Sequence, residues 1–226
     1  MGGVPQAWLA LTGRTSVRGH DRWAPVAAMA VVLGVQLLVS SRLVPGPTLL
    51  LPGFEAALVL GLLVANDRRM DVEERVLRGV SVGLIGFVAL VNTASLVRLV
   101  HRLVAGDSSG RALLAAAAGV WLTNVVVFGL VYWELDRGGP LGRLVRWGQA
   151  LPDLQFPQDV DHSQAPADWR PLFVDYLFTS LTASTAFSPT DVMPLTRRAK
   201  LFFGAQALVS LLTVGLVAAR AVNVLP

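Results

Sequence analysis

Hydrophobic positions in this chain gather into long runs rather than into stripes that leave one helix face wet. Four runs, 24–41, 79–97, 112–133 and 201–219, hold no Asp, Glu, Lys or Arg over 18 or more residues, the length at which an apolar helix crosses the hydrocarbon of a bilayer. Two further segments are interrupted or short: 48–65 contains Pro52 and Glu55, and 172–187 contains Asp175 and a series of hydroxyl side chains. The pattern predicts an all-α polytopic membrane fold of about six transmembrane helices. The alternative is five spans plus a re-entrant helix at 172–187.

Polar segments divide the runs. Residues 1–23 read as a basic cytoplasmic tail, and 24–226 as a single transmembrane domain. Pro45-Gly46-Pro47 marks a tight turn, because proline fixes φ while glycine bends freely. The stretch 66–78 balances four Arg against four acids and reads as a short solvated helix with internal ion pairs. Gly79/Gly83 and Ala115/Gly119 are small-xxx-small pairs that let helices approach closely. The longest polar connection, about 134–170, predicts an irregular surface loop, with Trp147 and Trp169 at the membrane interface and Tyr132 and Trp133 in the aromatic belt.

Composition agrees with that class. Hydrophobic residues make up 54% of the chain and charged residues only 15%, well below the quarter typical of soluble domains. The net charge of +4 and pI near 10.6 follow from Arg in cytoplasmic loops and are not read as nucleic-acid affinity. All basic residues but Lys200 are Arg, a bias that fits a bacterial inner-membrane protein of high-GC coding. The absence of Cys removes disulfides, thiol catalysis and Cys-ligated zinc.

Enzyme signatures are nearly absent. His20, His101 and His162 lack the helical pairing or partners that metal sites use. Asp161-His162 with Asp159 makes only a weak cation pattern, and no nucleophile elbow or phosphate loop occurs. The chain therefore reads as a non-enzyme with no cofactor or metal. Polar residues inside apolar runs are costly in lipid and so are functional candidates: Glu55, Asn92 and Asn124. For Asn92, Thr93, Asn124, Gln36 and Gln206, hydrogen bonding between packed helices is the structural reading.

The segment 172–196 is distinctive. At 100° per residue Asp175, Thr179, Thr182 and Thr185 share one stripe, while Ser180 and Ser184 lie on another side. A helix so short and polar requires shielding from lipid, where about 20 apolar residues are needed to span. Asp175-Tyr-Leu-Phe-Thr179-Ser-Leu-Thr182-Ala-Ser-Thr185, followed by Ser188-Pro189-Thr190-Asp191 and Pro194-Leu-Thr196, resembles the pore helix, filter and post-filter segment of tetrameric cation channels. That resemblance covers residues 175–225 and implies a homo-oligomer passing a monovalent cation along Asp175, Thr179, Thr182, Thr185, Ser188, Thr190 and Asp191. Ser188-Pro189-Thr190 stands where the channels carry Gly-Tyr-Gly, whose carbonyls face the ion, so potassium selectivity is not implied. The chain is also similar to an uncharacterised family of small bacterial inner-membrane proteins whose last third has Thr-Phe-x-x-Ser/Thr-Asp, then Arg-Arg, then a helix.

Arginine counts bear on the path of that segment. With six spans and a cytoplasmic start, twelve of the 19 basic residues lie inside, the direction the positive-inside rule prefers. With a re-entrant segment dipping in from outside, as in the channels, only Arg42, Arg98, Arg102, Arg111 and Arg220 lie inside. The count therefore favours a complete crossing by 172–187. The alternatives to a transport module are a structural or interaction membrane protein and, less favoured, a membrane enzyme.

Overall fold

The computed structural model describes residues 110–145, 151–161, 169–185 and 191–224, parts of 27–34 and 83–101, and positions 163, 165 and 166. Glu55, the connector 66–78, Ser188 and Thr190 lie outside the described residues. The described chain is mostly helical: α1 (Gly110–Leu135), a 3-10 turn (Asp136–Gly138), α2 (Gly139–Val145), β1 (Leu154–Gln155), α3 (Pro157–Val160), α4 (Phe173–Thr185), β2 (Met193–Pro194) and α5 (Arg197–Val224). Two stretches, Leu113–Gly138 and Arg197–Ala219, are long and apolar enough to cross a membrane. Most of the apolar part of the first is buried and most of that of the second is exposed, so α1 is the central helix and α5 packs on its flank.

The turn after α1 reverses the chain through three consecutive left-handed residues, Arg137 (φ 51), Gly138 (φ 83) and Gly139 (φ 83). Glycine takes that conformation without strain. Arg137 is held there by its guanidinium, which bridges Asp136 and Asp159.

Contacts along the helices fix their directions. Leu177 packs on Gly129 so tightly that a Cβ there would lie 3.2 Å from the Leu177 Cα, and the Ser180 hydroxyl donates to the Val125 carbonyl at 2.6 Å. As α4 advances, α1 recedes, so the two are antiparallel. Tyr132 donates to Gln206 and Asn124 to Ser210, which makes α5 antiparallel to α1 as well. Helices α4 and α5 therefore run in the same direction and start at the same end.

Residues between them close the hairpin. Leu154 pairs with Pro194 across the two-residue ladder, and the Leu195 N–H donates to the Asp153 carbonyl. The Asp153 and Leu154 N–H groups in turn reach Asp136, as does the Tyr176 hydroxyl. The chain thus enters along α4 from the Asp136 end and is back at that end by Val192, where Tyr176, Val192 and Ala199 share one buried cluster with Phe128, Tyr132 and Phe156. Arg counts favour a segment that leaves at the far end; the ladder with β1 draws it back. At the opposite end Leu96 and Leu99 form a second cluster with Leu113, Ala116, Ala117 and Val120 of α1.

Polarity runs opposite to that of a water-soluble core. On α4 the outward stripe is Val174, Phe178 and Leu181, while Thr179, Ser180 and Ser184 are buried. On α5 the buried stripe is Gln206, Ser210 and Thr213, and the outward one includes Leu201, Leu208, Leu211 and Val214. The connection 134–170 also departs from an irregular loop: α2, β1 and α3 fold over the end of α1. They bury Tyr132 completely instead of leaving it in an interfacial belt, and half-bury Trp169 against Phe156.

Candidate functional site

The α4 hairpin is held by two polar assemblies at different depths. The deeper one centres on Gln206, which is fully buried. Its Oε1 accepts from the Tyr132 hydroxyl, and its Nε2 lies 2.8 Å from the Ser180 carbonyl and 2.6 Å from the Ser180 and Ser184 hydroxyls. One side chain of α5 thereby grips both α1 and α4. A step further in, Asn124 Nδ2 donates to Ser210 Oγ at 2.9 Å, leaving Asn124 Oδ1 buried without a partner.

The second assembly is an ionic clasp at the end of α1. Asp136 accepts the Asp153 and Leu154 N–H groups at 2.9 and 3.2 Å on one oxygen, and Tyr176 and Arg137 at 2.7 and 3.1 Å on the other. Arg137 continues to Asp159 at 2.8 Å. Arg143 lies over the Tyr176 and Trp133 rings, 4.9 and 5.6 Å from their centroids, and donates to the Trp133 carbonyl at 2.6 Å. Asp153 receives Arg198 in a bidentate pair at 2.8 Å and the Thr196 hydroxyl at 2.6 Å. Three carboxylates thus meet two guanidiniums, those of Arg137 and Arg198, which lowers the cost of burying each charge, while Arg143 donates to main-chain carbonyls.

Comparison with protein-family models, with curated proteins and with solved structures finds no match.

The stripe singled out by sequence is placed as follows. Asp175 is half-buried near the rim and accepts the Leu172 N–H at 2.7 Å, capping its own helix. Thr179, Thr182 and Thr185 donate to carbonyls of α4 itself, those of Asp175, of Phe178 and Thr179, and of Thr182. Asp191 is exposed where the chain regains the Asp136 end. Asn92 is buried in the helical residues 92–101, and Asn124 lies in the deep assembly. The structure therefore joins α4 to its neighbours through Ser180 and Ser184 rather than through the Thr stripe.

Sequence reasoning passed over Asp136, Arg143 and Arg198 and read Asp153 only as a loop acid; apart from the adjacent Asp136–Arg137 pair, their partners lie 7 to 45 residues away. The role of Gln206 had a signal: with Ser210 and Thr213 it forms an i, i+4, i+7 polar stripe in an otherwise apolar run. Chemically, the described site offers hydroxyls and carbonyls along a short helix and carboxylates already saturated with donors. Among the described residues no three of His, Cys, Asp and Glu are placed to hold a metal.

Proposed function

We propose that this chain is a multi-pass, non-enzymatic membrane protein of a bacterial inner membrane whose segment 173–196 is a re-entrant, pore-loop-like hairpin conducting a monovalent cation in a homo-oligomer. The observation that carries the reading is the hairpin path: α4 and α5 start at one end, with the return closed by the β1–β2 ladder.

Two further features support it. Burial of the polar stripes and exposure of the apolar ones is what a lipid solvent demands, because no water satisfies polar groups there. Helix α4, with 13 residues, is about 20 Å long against a hydrocarbon core of about 30 Å, so its carboxyl end stops within the membrane. The pairings of Leu177 with Gly129 and Ser180 with Val125 carry that end about halfway along α1. A helix carboxyl terminus carries roughly half a negative charge, and no basic residue sits in the last turn of α4 to offset it. A cation is the ion such a terminus favours.

The test is flux through purified protein in liposomes. Because the chain lacks Cys, Ser188→Cys and Thr190→Cys can be modified singly with a thiol reagent. Cation flux that is blocked by the reagent and reduced by Asp191→Asn is the expected result; flux no higher than in protein-free liposomes overturns the proposal. A purely structural membrane role is the second reading, and the pairing of Ser180, Ser184 and Gln206 from helix to helix favours it.

A further inference from the structure

We infer that the Asp136 end faces the cytoplasm, so that the α4 hairpin dips into the membrane from the cytoplasmic side. That sense is opposite to that of the tetrameric cation channels. The inference rests on the re-entrant reading of 173–196.

Its first support is the basic charge at the two ends of the described bundle. Arg137, Arg143, Arg197, Arg198 and Lys200 belong to elements at the Asp136 end, and Arg146 and Arg170 lie between them in sequence. The other end has Arg98 and Arg111 before the body of α1 and Arg220 late in α5, and Arg102 lies between the first two in sequence. The connection 139–196 is short enough for the positive-inside rule to apply, and acids that pair with its Arg residues do not weaken the rule, which counts Lys and Arg rather than net charge. Extended over the chain with the hairpin as a non-crossing segment, only five of the 19 basic residues fall on the far side. The conflict between a re-entrant segment and the Arg distribution disappears once the direction of entry is inverted.

The second support is local. Arg197 and Lys200 are exposed in the first turn of α5, beside exposed Met193, Leu195, Leu201 and Phe202. Long cations interleaved with exposed apolar side chains at a helix end are an arrangement that lets ammonium and guanidinium groups reach headgroups while their stems stay on apolar surface. Each such cation is attracted to the anionic lipid of the cytoplasmic leaflet.

The experiment uses single-cysteine variants of the full chain and a membrane-impermeant maleimide, applied to intact cells and to inverted membrane vesicles. Leu151→Cys and Met193→Cys replace residues that are 88% and 63% exposed at the Asp136 end. His101→Cys reports the opposite end, and Val160→Cys, also exposed, substitutes for Leu151→Cys if that variant does not accumulate. The expected result is labelling of Leu151→Cys and Met193→Cys only in inverted vesicles and of His101→Cys only in intact cells. The reverse pattern overturns the orientation while leaving the hairpin. Leu151→Cys and Met193→Cys on opposite sides would mean that 173–185 crosses, which sinks the re-entrant reading and the orientation with it.

Discussion

Replacing Gln206 by Met removes the centre of the deep assembly, leaving the Asn124–Ser210 bond, while keeping nearly the same side-chain length and volume. The amide has two protons for three nearby acceptors, so at most two of its donor contacts form at once, and Oε1 adds the bond from Tyr132. Three interhelical bonds at about 0.6 to 1.7 kcal/mol each come to about 2–5 kcal/mol. Ser180 retains its bond to the Val125 carbonyl, whereas Tyr132, fully buried, loses its acceptor, which places the effect in the upper half of that range. The assay is reversible unfolding of purified protein in mixed micelles, with Thr182→Val as the control. The Thr182 hydroxyl bonds only carbonyls of its own helix, and its loss costs well under 1 kcal/mol, since a helix carbonyl keeps its backbone donor. Gln206→Met within 0.5 kcal/mol of the parent, a bound below the smallest single bond counted above, would refute the view that α5 holds α4 through this amide.

Three other perturbations test the clasp and the close contact. Asp136→Asn leaves the buried Arg137 and the Tyr176 hydroxyl short of an acceptor and is expected to cost about 3–5 kcal/mol in the same unfolding assay. Arg198→Ala strips Asp153 of its bidentate partner; because the Arg198 side chain is 56% exposed, the expected loss is about 1–3 kcal/mol, seen as faster hydrogen exchange at 191–196. Gly129→Val forces a branched side chain against the Leu177 backbone and is expected to destabilise by about 1–3 kcal/mol. Gly215→Ala, with nothing within 4 Å of its added Cβ inside α5, is expected to cost nothing and to stabilise by up to about 1 kcal/mol in the same measurement.

Among the described residues, helix positions were legible and helix directions were not. The runs 112–133 and 201–219 lie within α1 and α5, and α4 lies within the short hydroxyl-rich segment 172–187, because length and apolarity are local properties. The return of the chain at Val192 depends on pairing between Leu154 and Pro194, forty residues apart, and a two-residue ladder leaves no periodic trace. Tyr132 was misplaced for a related reason. Next to the end of an apolar run it has the position of an interfacial anchor, but the polar connection folds back over it through Asp136, Asp153 and Asp159. Those acids look like ordinary loop residues until their Arg partners are known.

The choice of hydroxyl on each face of α4 follows from the space available. Where α4 meets α1, Leu177 sits directly on Gly129, and this close approach favours a small side chain at the next inward positions. Serine fits there, and lacking a γ-methyl its hydroxyl can turn outward to the Val125 carbonyl and to Gln206. Threonine occupies the other polar stripe, where its stiff χ1 directs the hydroxyl back to the carbonyl three or four residues earlier. Thr179, Thr182 and Thr185 all do this. A back-bonded hydroxyl can exchange its carbonyl for an ion or water at small cost, whereas Ser180 and Ser184 cannot leave Gln206 without loosening the bundle. Under the pore-loop reading, Ser184→Ala therefore alters stability before flux, and Thr185→Val alters flux before stability. Equal effects of the two substitutions on both measurements would contradict this division.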